Sequence, residues 1–310
     1  MESIGYGRSR FRTASPKPSF AQNQGRAEAR PEFLPLDPSH PALAAFLLAV
    51  AAVRTKFRIL LVRLRVDDFF NEIASRRTLS LESYRQLLEQ GCMIVPDALP
   101  PNKLAELAAA YDGVMAECSS EPEFKTSSTT TRLFDLVNRG EAFNQIYIHS
   151  LLLEACIHVI GEPFKLSSLL ARTLNARTPA QDLHSDLPRG SADAPMVGFI
   201  LMIDSFTGEN GSTRFVPYSH MWPDLPADRM SDLRSDWQGQ VLACGKGGSM
   251  IVFNGTVWHG HTANQTFQPH RSVQGYFVRR GARSGLNFSD RMIPDTVARI
   301  SPLAKYLLML

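Results

Sequence analysis

The chain has 310 residues, 44% hydrophobic and 20% charged, a balance that excludes a wholly disordered, collagen-like or disulfide-scaffold protein. Its four cysteines, Cys92, Cys118, Cys156 and Cys244, form no Cys-x-x-Cys pair, so neither a zinc ribbon nor a dithiol redox centre is available, and a reducing, cytoplasmic compartment is expected. The net charge of +3 is unevenly spread: residues 1–66 carry 11 Lys/Arg against 4 Asp/Glu and the remainder 22 against 26, so no basic surface for nucleic acid is expected in the main domain.

In chain order, residues 1–41 are rich in Ser, Pro, Gly, Gln and Arg and poor in aliphatic side chains. They cannot bury enough surface to offset the entropy of ordering, and disorder is expected. Ala42 to Val53 is an apolar run of 12 residues, short of the roughly 20 needed to span a bilayer. It reads as a short helix packed on the main domain or as non-native N-terminal sequence. The alternative is a basic membrane-surface anchor, so membrane contact is possible in principle but not favoured. The expected organisation is a basic, weakly ordered extension over 1–66 and one domain over 67–310.

Ser80 is a plausible N-cap for a helix carrying Leu81, Tyr84, Leu87 and Leu88, which runs to about Gln90 and stops at Gly91. Cys92 to Val95 reads as a short buried strand before Pro96, and Pro100-Pro101 opens a helix towards Glu117. A further helix is expected from about Glu141 to Ile160, ended by Gly161. The stretch Glu121 to Arg132 reads as a loop, as does Met221 to Gln238, both near a cavity mouth. Beyond Gly161 the apolar segments shorten to strand length: Lys165–Asn175, Met196–Asp204, Ser212–Pro217, Gln240–Ala243, Ser249–Phe253 and Ser272–Arg279. Helices followed by strands predict an α+β chain with a C-terminal antiparallel sandwich or barrel.

Gln181 to Asp186 contains His184-x-Asp186. On an extended segment two side chains spaced by two share a side and can hold one ion. Chance supplies on the order of one His-x-acid match in such a chain, so the pair alone reads as a surface contact. A third neutral imidazole from a distant strand would complete two histidines and a carboxylate on one face of a metal, with open positions opposite, the ligand set of non-haem Fe(II) oxygenases. His259 and His261, two apart, are both candidates. Arg271, about one strand further on, supplies a planar fork suited to a carboxylate.

Together these blocks resemble the phytanoyl-CoA dioxygenase (PhyH-like) family of Fe(II)/2-oxoglutarate-dependent oxygenases. The resemblance covers roughly residues 80–285 and rests on Glu89 to Pro96, Gln181 to Asp186, Glu209 to His220 and the series His259, Asn264, Arg271. It implies a double-stranded β-helix (jelly-roll or cupin-like barrel) flanked by N-terminal helices, iron held by His184, Asp186 and His259, and the distal carboxylate of 2-oxoglutarate paired with Arg271. His259 is preferred over His261 because its five-residue offset to Asn264 matches the family's block. His261 then sits beside the co-substrate or substrate, and Thr213 and Gln181 face the barrel interior and contact 2-oxoglutarate. Two departures stand out: Tyr218 where the family usually has Gly, expected to alter a turn, and His261 where a small residue is common. Arg132, Arg172 and Arg177 are weighed as contacts for an anionic substrate group, although such arginines are usually solvated. His220 is expected to serve a turn and Trp258 to face outward core.

The implied activity is O₂-dependent hydroxylation of a small organic or lipid-like metabolite with release of succinate and CO₂. The alternatives are a catalytically silent cupin-like binding module, which loss of a ligand would favour, and an enzyme using another divalent metal.

Overall fold

The computed structural model describes residues 68–188 and 190–310, so the readings for 1–41 and Ala42–Val53, and the whole of the 1–66 extension, lie outside the described residues. The helix after Ser80 forms as α1 (Leu81–Arg85), and the Ser80 hydroxyl accepts from Ser83 N at 3.0 Å. It widens into a π-turn over Gln86–Gln90 and ends at Gly91, whose φ of 84° is the left-handed conformation that glycine tolerates best. Next come β1 (Cys92–Val95), α2 (Pro101–Glu117), β2 (Phe124–Thr126) and β3 (Thr130–Phe134). The stretch expected as a loop is therefore largely a hairpin: β-branched threonines pair with Thr173 and Leu174 and extend the sheet.

The apolar stretch 141–160 is two helices, α3 (Glu141–Tyr147) and α4 (Ser150–Ile160), rather than one. His149 takes an extended conformation between them, and its Nε2 lies 3.0 Å from the Ala98 carbonyl. No Gly or Pro marks this break in the sequence.

Seven strands follow: β4 (Phe164–Leu174), β5 (Met196–Met202), β6 (Thr213–Val216), β7 (Val241–Ala243), β8 (Met250–Asn254), β9 (Trp258–His261) and β10 (His270–Arg279). They form a seven-stranded sheet ordered β1-β8-β5-β10-β4-β3-β2 and a three-stranded sheet ordered β7-β6-β9, with antiparallel pairing throughout. The architecture is the expected α+β double-stranded β-helix with N-terminal helices.

Alternation assigns the two faces of the large sheet. Val197, Phe199 and Leu201 on β5, Met250 and Val252 on β8, and Val273 and Phe277 on β10 pack into the core shared with α2, α3 and α4. Ile200, Met202, Ile251 and Phe253 point the other way and meet Phe215 and Ala243 of the small sheet. β5 is buried on both faces, which is why it reads as an unbroken apolar run.

Candidate metal and co-substrate site

The segment 181–187 lies alongside β9 and prolongs the small sheet. Gln181 N donates to the His261 carbonyl at 2.9 Å, His184 and His259 exchange backbone bonds at 3.0 and 2.8 Å, and Asp186 N reaches the Gly255 carbonyl at 2.9 Å. Gly260 allows this approach, since a Cβ there would lie 3.1 Å from the Asp182 carbonyl oxygen. Behind the segment the wholly buried Arg214 donates to the carbonyls of Gln181, Leu233 and Ser235 at 2.7–3.0 Å, tying the strand to the 231–236 loop. Its role was invisible in sequence, because nothing in the pattern around Thr213 distinguishes a buried arginine from a solvated one.

His184, Asp186 and His259 present ligand atoms all within 4.8 Å of one another. His259 Nε2 lies 3.6 Å from Asp186 Oδ2, and His184 Nε2 lies 3.9 Å from Asp186 Oδ1. Each imidazole turns Nδ1 to a backbone carbonyl, His184 to Asp182 and His259 to Val257, both at 3.0 Å. With Nδ1–H donating there, the Nε2 lone pairs are left for a cation. Burial keeps the rings neutral: it pulls His259 down to about 4 and depresses His184, whose neighbour His259 adds to the effect. Burial also pushes Asp186 up to about 6, and its Oδ2 is inaccessible to solvent without a hydrogen-bond partner. Such an oxygen between two aimed imidazoles fits a divalent metal, which supplies the missing positive partner. His261 is not in this group; its Nδ1 is within 2.9 Å of the Thr262 carbonyl.

The trio opens into a cavity of about 280 Å³ between the sheets, also lined by Gln181, Thr213 and His261 from the expected set and by Arg132, Arg172, Gln274 and Tyr276. Arg271 is not brought there. On β10 the cavity takes Gln274 and Tyr276, and Arg271, of opposite parity, faces away. Its guanidinium meets both oxygens of Asp204 at 3.0 and 2.7 Å and both of Asp112 on α2 at 2.8 and 2.7 Å. That is a structural clasp, and it leaves Arg271 outside the cavity where it was expected to meet a co-substrate carboxylate.

Among the other residues read from sequence, Arg177 lies outside the cavity, donating to the Gln265 carbonyl and stacking over Phe267. Trp258 packs with Trp222 and Trp237 behind the site, as expected for outward core. His220 Nε2 lies 3.1 Å from the Leu88 carbonyl and braces the turn. Tyr218 adopts φ 68°, the left-handed conformation that glycine takes most easily.

A second, mostly apolar lobe of about 420 Å³ adjoins the first, with Phe134, Leu170, Asp186 and Tyr276 lining both; Ser167, Ser168, Met196, Gly285 and Leu286 complete its wall.

Residues 87–272 match the model of the phytanoyl-CoA dioxygenase (PhyH) family. Dioxygenase af480 of Aspergillus fumigatus is 25% identical over 261 residues, covering 79% of this chain and 82% of its own. Multifunctional dioxygenase ausE of Emericella nidulans is 27% identical over 241 residues, covering 71% and 80%. Among solved structures, EctD from S. alaskensis with bound Fe aligns with a TM-score of 0.57 at 16% identity over 68% of this chain and 80% of its own. HygX from Streptomyces hygroscopicus, with nickel and 2-oxoglutarate bound, aligns with a TM-score of 0.56 at 14% identity over 67% and 90%. These structural likenesses bear on the fold.

Proposed function

Because the chain belongs to the phytanoyl-CoA dioxygenase family and is an iron- and 2-oxoglutarate-dependent dioxygenase, we propose that His184, Asp186 and His259 are its iron ligands and that it hydroxylates a small lipid-like molecule. One observation carries the site assignment: three donor groups within 4.8 Å, both imidazoles oriented by backbone carbonyls, facing a cavity. Bound there, iron and 2-oxoglutarate supply O₂ activation coupled to release of succinate and CO₂.

The chain's own residues do the placing. Nε2 of His184 and of His259 and the Asp186 carboxylate hold the metal. Phe215 and Phe253 lie against the His259 ring, with centroids 5.7 and 4.8 Å away, and limit water on that side. Gln181 and Thr213 present polar groups for the co-substrate. The apolar lobe supports a lipid-like substrate, since its lining offers no Lys, Arg or His to bind an anionic group and its volume lies in the range of small-molecule sites. Four free cysteines suit a reducing, cytoplasmic compartment.

The test is succinate formation by the purified protein with Fe(II), 2-oxoglutarate and O₂. Wild type is expected to form succinate only with all three present, and His184→Ala or Asp186→Ala to abolish it while the protein stays folded. Wild-type turnover in either variant would contradict the assignment.

A further inference from the structure

We infer that Arg172, on β4, is the residue that pairs with the distal carboxylate of 2-oxoglutarate, in place of the Arg271 expected from sequence; this rests on the functional reading above. Three independent features of the cavity carry it.

Arg172 lines the same cavity as the His184, Asp186 and His259 group. Its Nε is inaccessible to solvent and has no hydrogen-bond partner, and among the described residues no carboxylate pairs with its guanidinium, whereas Arg271 is held by two. A shielded cation without a counter-charge is costly unless a ligand supplies one.

Strand pairing sharpens the point. Arg132 and Arg172 are directly opposed across β3 and β4, and both line the cavity. Like charges in that position repel, and burial together with Arg132 lowers Arg172 to about 10. Asp186 is the one acidic residue lining this cavity among the described residues, and it faces the two histidines. The wall that carries the two arginines is therefore built for an anion.

The neighbours suit one carboxylate. Gln274, Thr213 and Gln181 line the same cavity and offer uncharged hydrogen-bonding groups around the planar fork of Arg172. Register explains why this arginine is inside: Arg172 pairs with Ser272, which shares the parity of Gln274 and Tyr276.

The experiment compares 2-oxoglutarate with 2-oxovalerate, which keeps the 2-oxo acid end and carries a methyl group in place of the distal carboxylate. Both are titrated calorimetrically into the Co(II)-loaded protein. Wild type should prefer 2-oxoglutarate by about 30-fold or more, the scale of losing one partner of a shielded charge pair. Arg172→Leu should collapse that ratio to near one with Co(II) affinity unchanged, and Arg172→Lys should restore part of it. Arg271→Leu, where it folds, should keep the wild-type ratio. Without ligands, Arg172→Leu should melt at a higher temperature than wild type, whereas loss of a merely structural arginine would lower the midpoint. A wild-type ratio in Arg172→Leu overturns the assignment of Arg172 alone. A wild-type protein that binds neither oxo acid overturns the functional reading and the anchor with it.

Discussion

Arg271 and Ser272 are neighbours on β10 and face opposite sides of the large sheet, so one position of register separates a ligand contact from a structural clasp. His184 and Asp186 were legible because both lie on one short extended segment, where a spacing of two puts them on one side without further information. The choice of His259 over His261 needed the Asn264 offset; in the structure His259 and not His261 closes on Asp186. Arg271 lies outside the cavity where it was expected because its separation from His259 includes a loop, and a separation counted through a loop does not determine which face of the next strand a side chain takes. Its bonds to Asp204 and Asp112 join β10, the end of β5 and α2. Arg271→Leu should therefore cost about 1–3 kcal/mol of stability, the range for hydrogen bonds to charged groups at a partly exposed site, as read by urea denaturation. Burial raises the Asp204 carboxyl, but the bonds from Arg271 outweigh it and hold Asp204 below its ordinary value. A carboxyl lowered in the folded state stabilises fully above its unfolded value of about 3.9 and loses that contribution as the pH falls through its folded value. The difference between wild type and Arg271→Leu should thus be full at pH 6 and shrink below about pH 4.

At the scale of elements, strands buried on both faces were the easiest to find, β5 above all, because no polar residue interrupts Met196 to Met202. The β2–β3 hairpin was missed because Ser and Thr fill it, and threonine serves loops and edge strands alike. The break between α3 and α4 carries no Gly or Pro and arises from where His149 sits against Ala98. Gly198 shows a tertiary demand of the same kind. It stands opposite Phe253 on β8 and Tyr276 on β10, and a Cβ there would lie 2.2 Å from the Phe253 ring. Phe253 in turn packs on His259 at 4.8 Å. Gly198→Ala should cost about 1–3 kcal/mol by overpacking, measured as a shift in denaturation midpoint, because the displaced ring is hemmed in by Phe215, His259 and Tyr276.

Across the whole molecule, the large sheet turns one face to the helices and the other to the small sheet, and the candidate site lies between the sheets. The long core strands belong to the large sheet, while β9 and the short 181–187 segment bring the three donor groups together. The fold class followed from the order of helices and strands, and the three donors from motif spacing. The cavity's positive wall did not, because Arg132 and Arg172 are 40 positions apart in the chain and meet only through the β3–β4 pairing. Anaerobic equilibrium dialysis against Fe(II) tests the central assignment most directly. The wild-type protein should bind one iron per chain; Asp186→Ala and His259→Ala should lose most of that affinity, and His261→Ala should keep it. Wild-type iron binding by Asp186→Ala, or loss in His261→Ala with retention in His259→Ala, would contradict it.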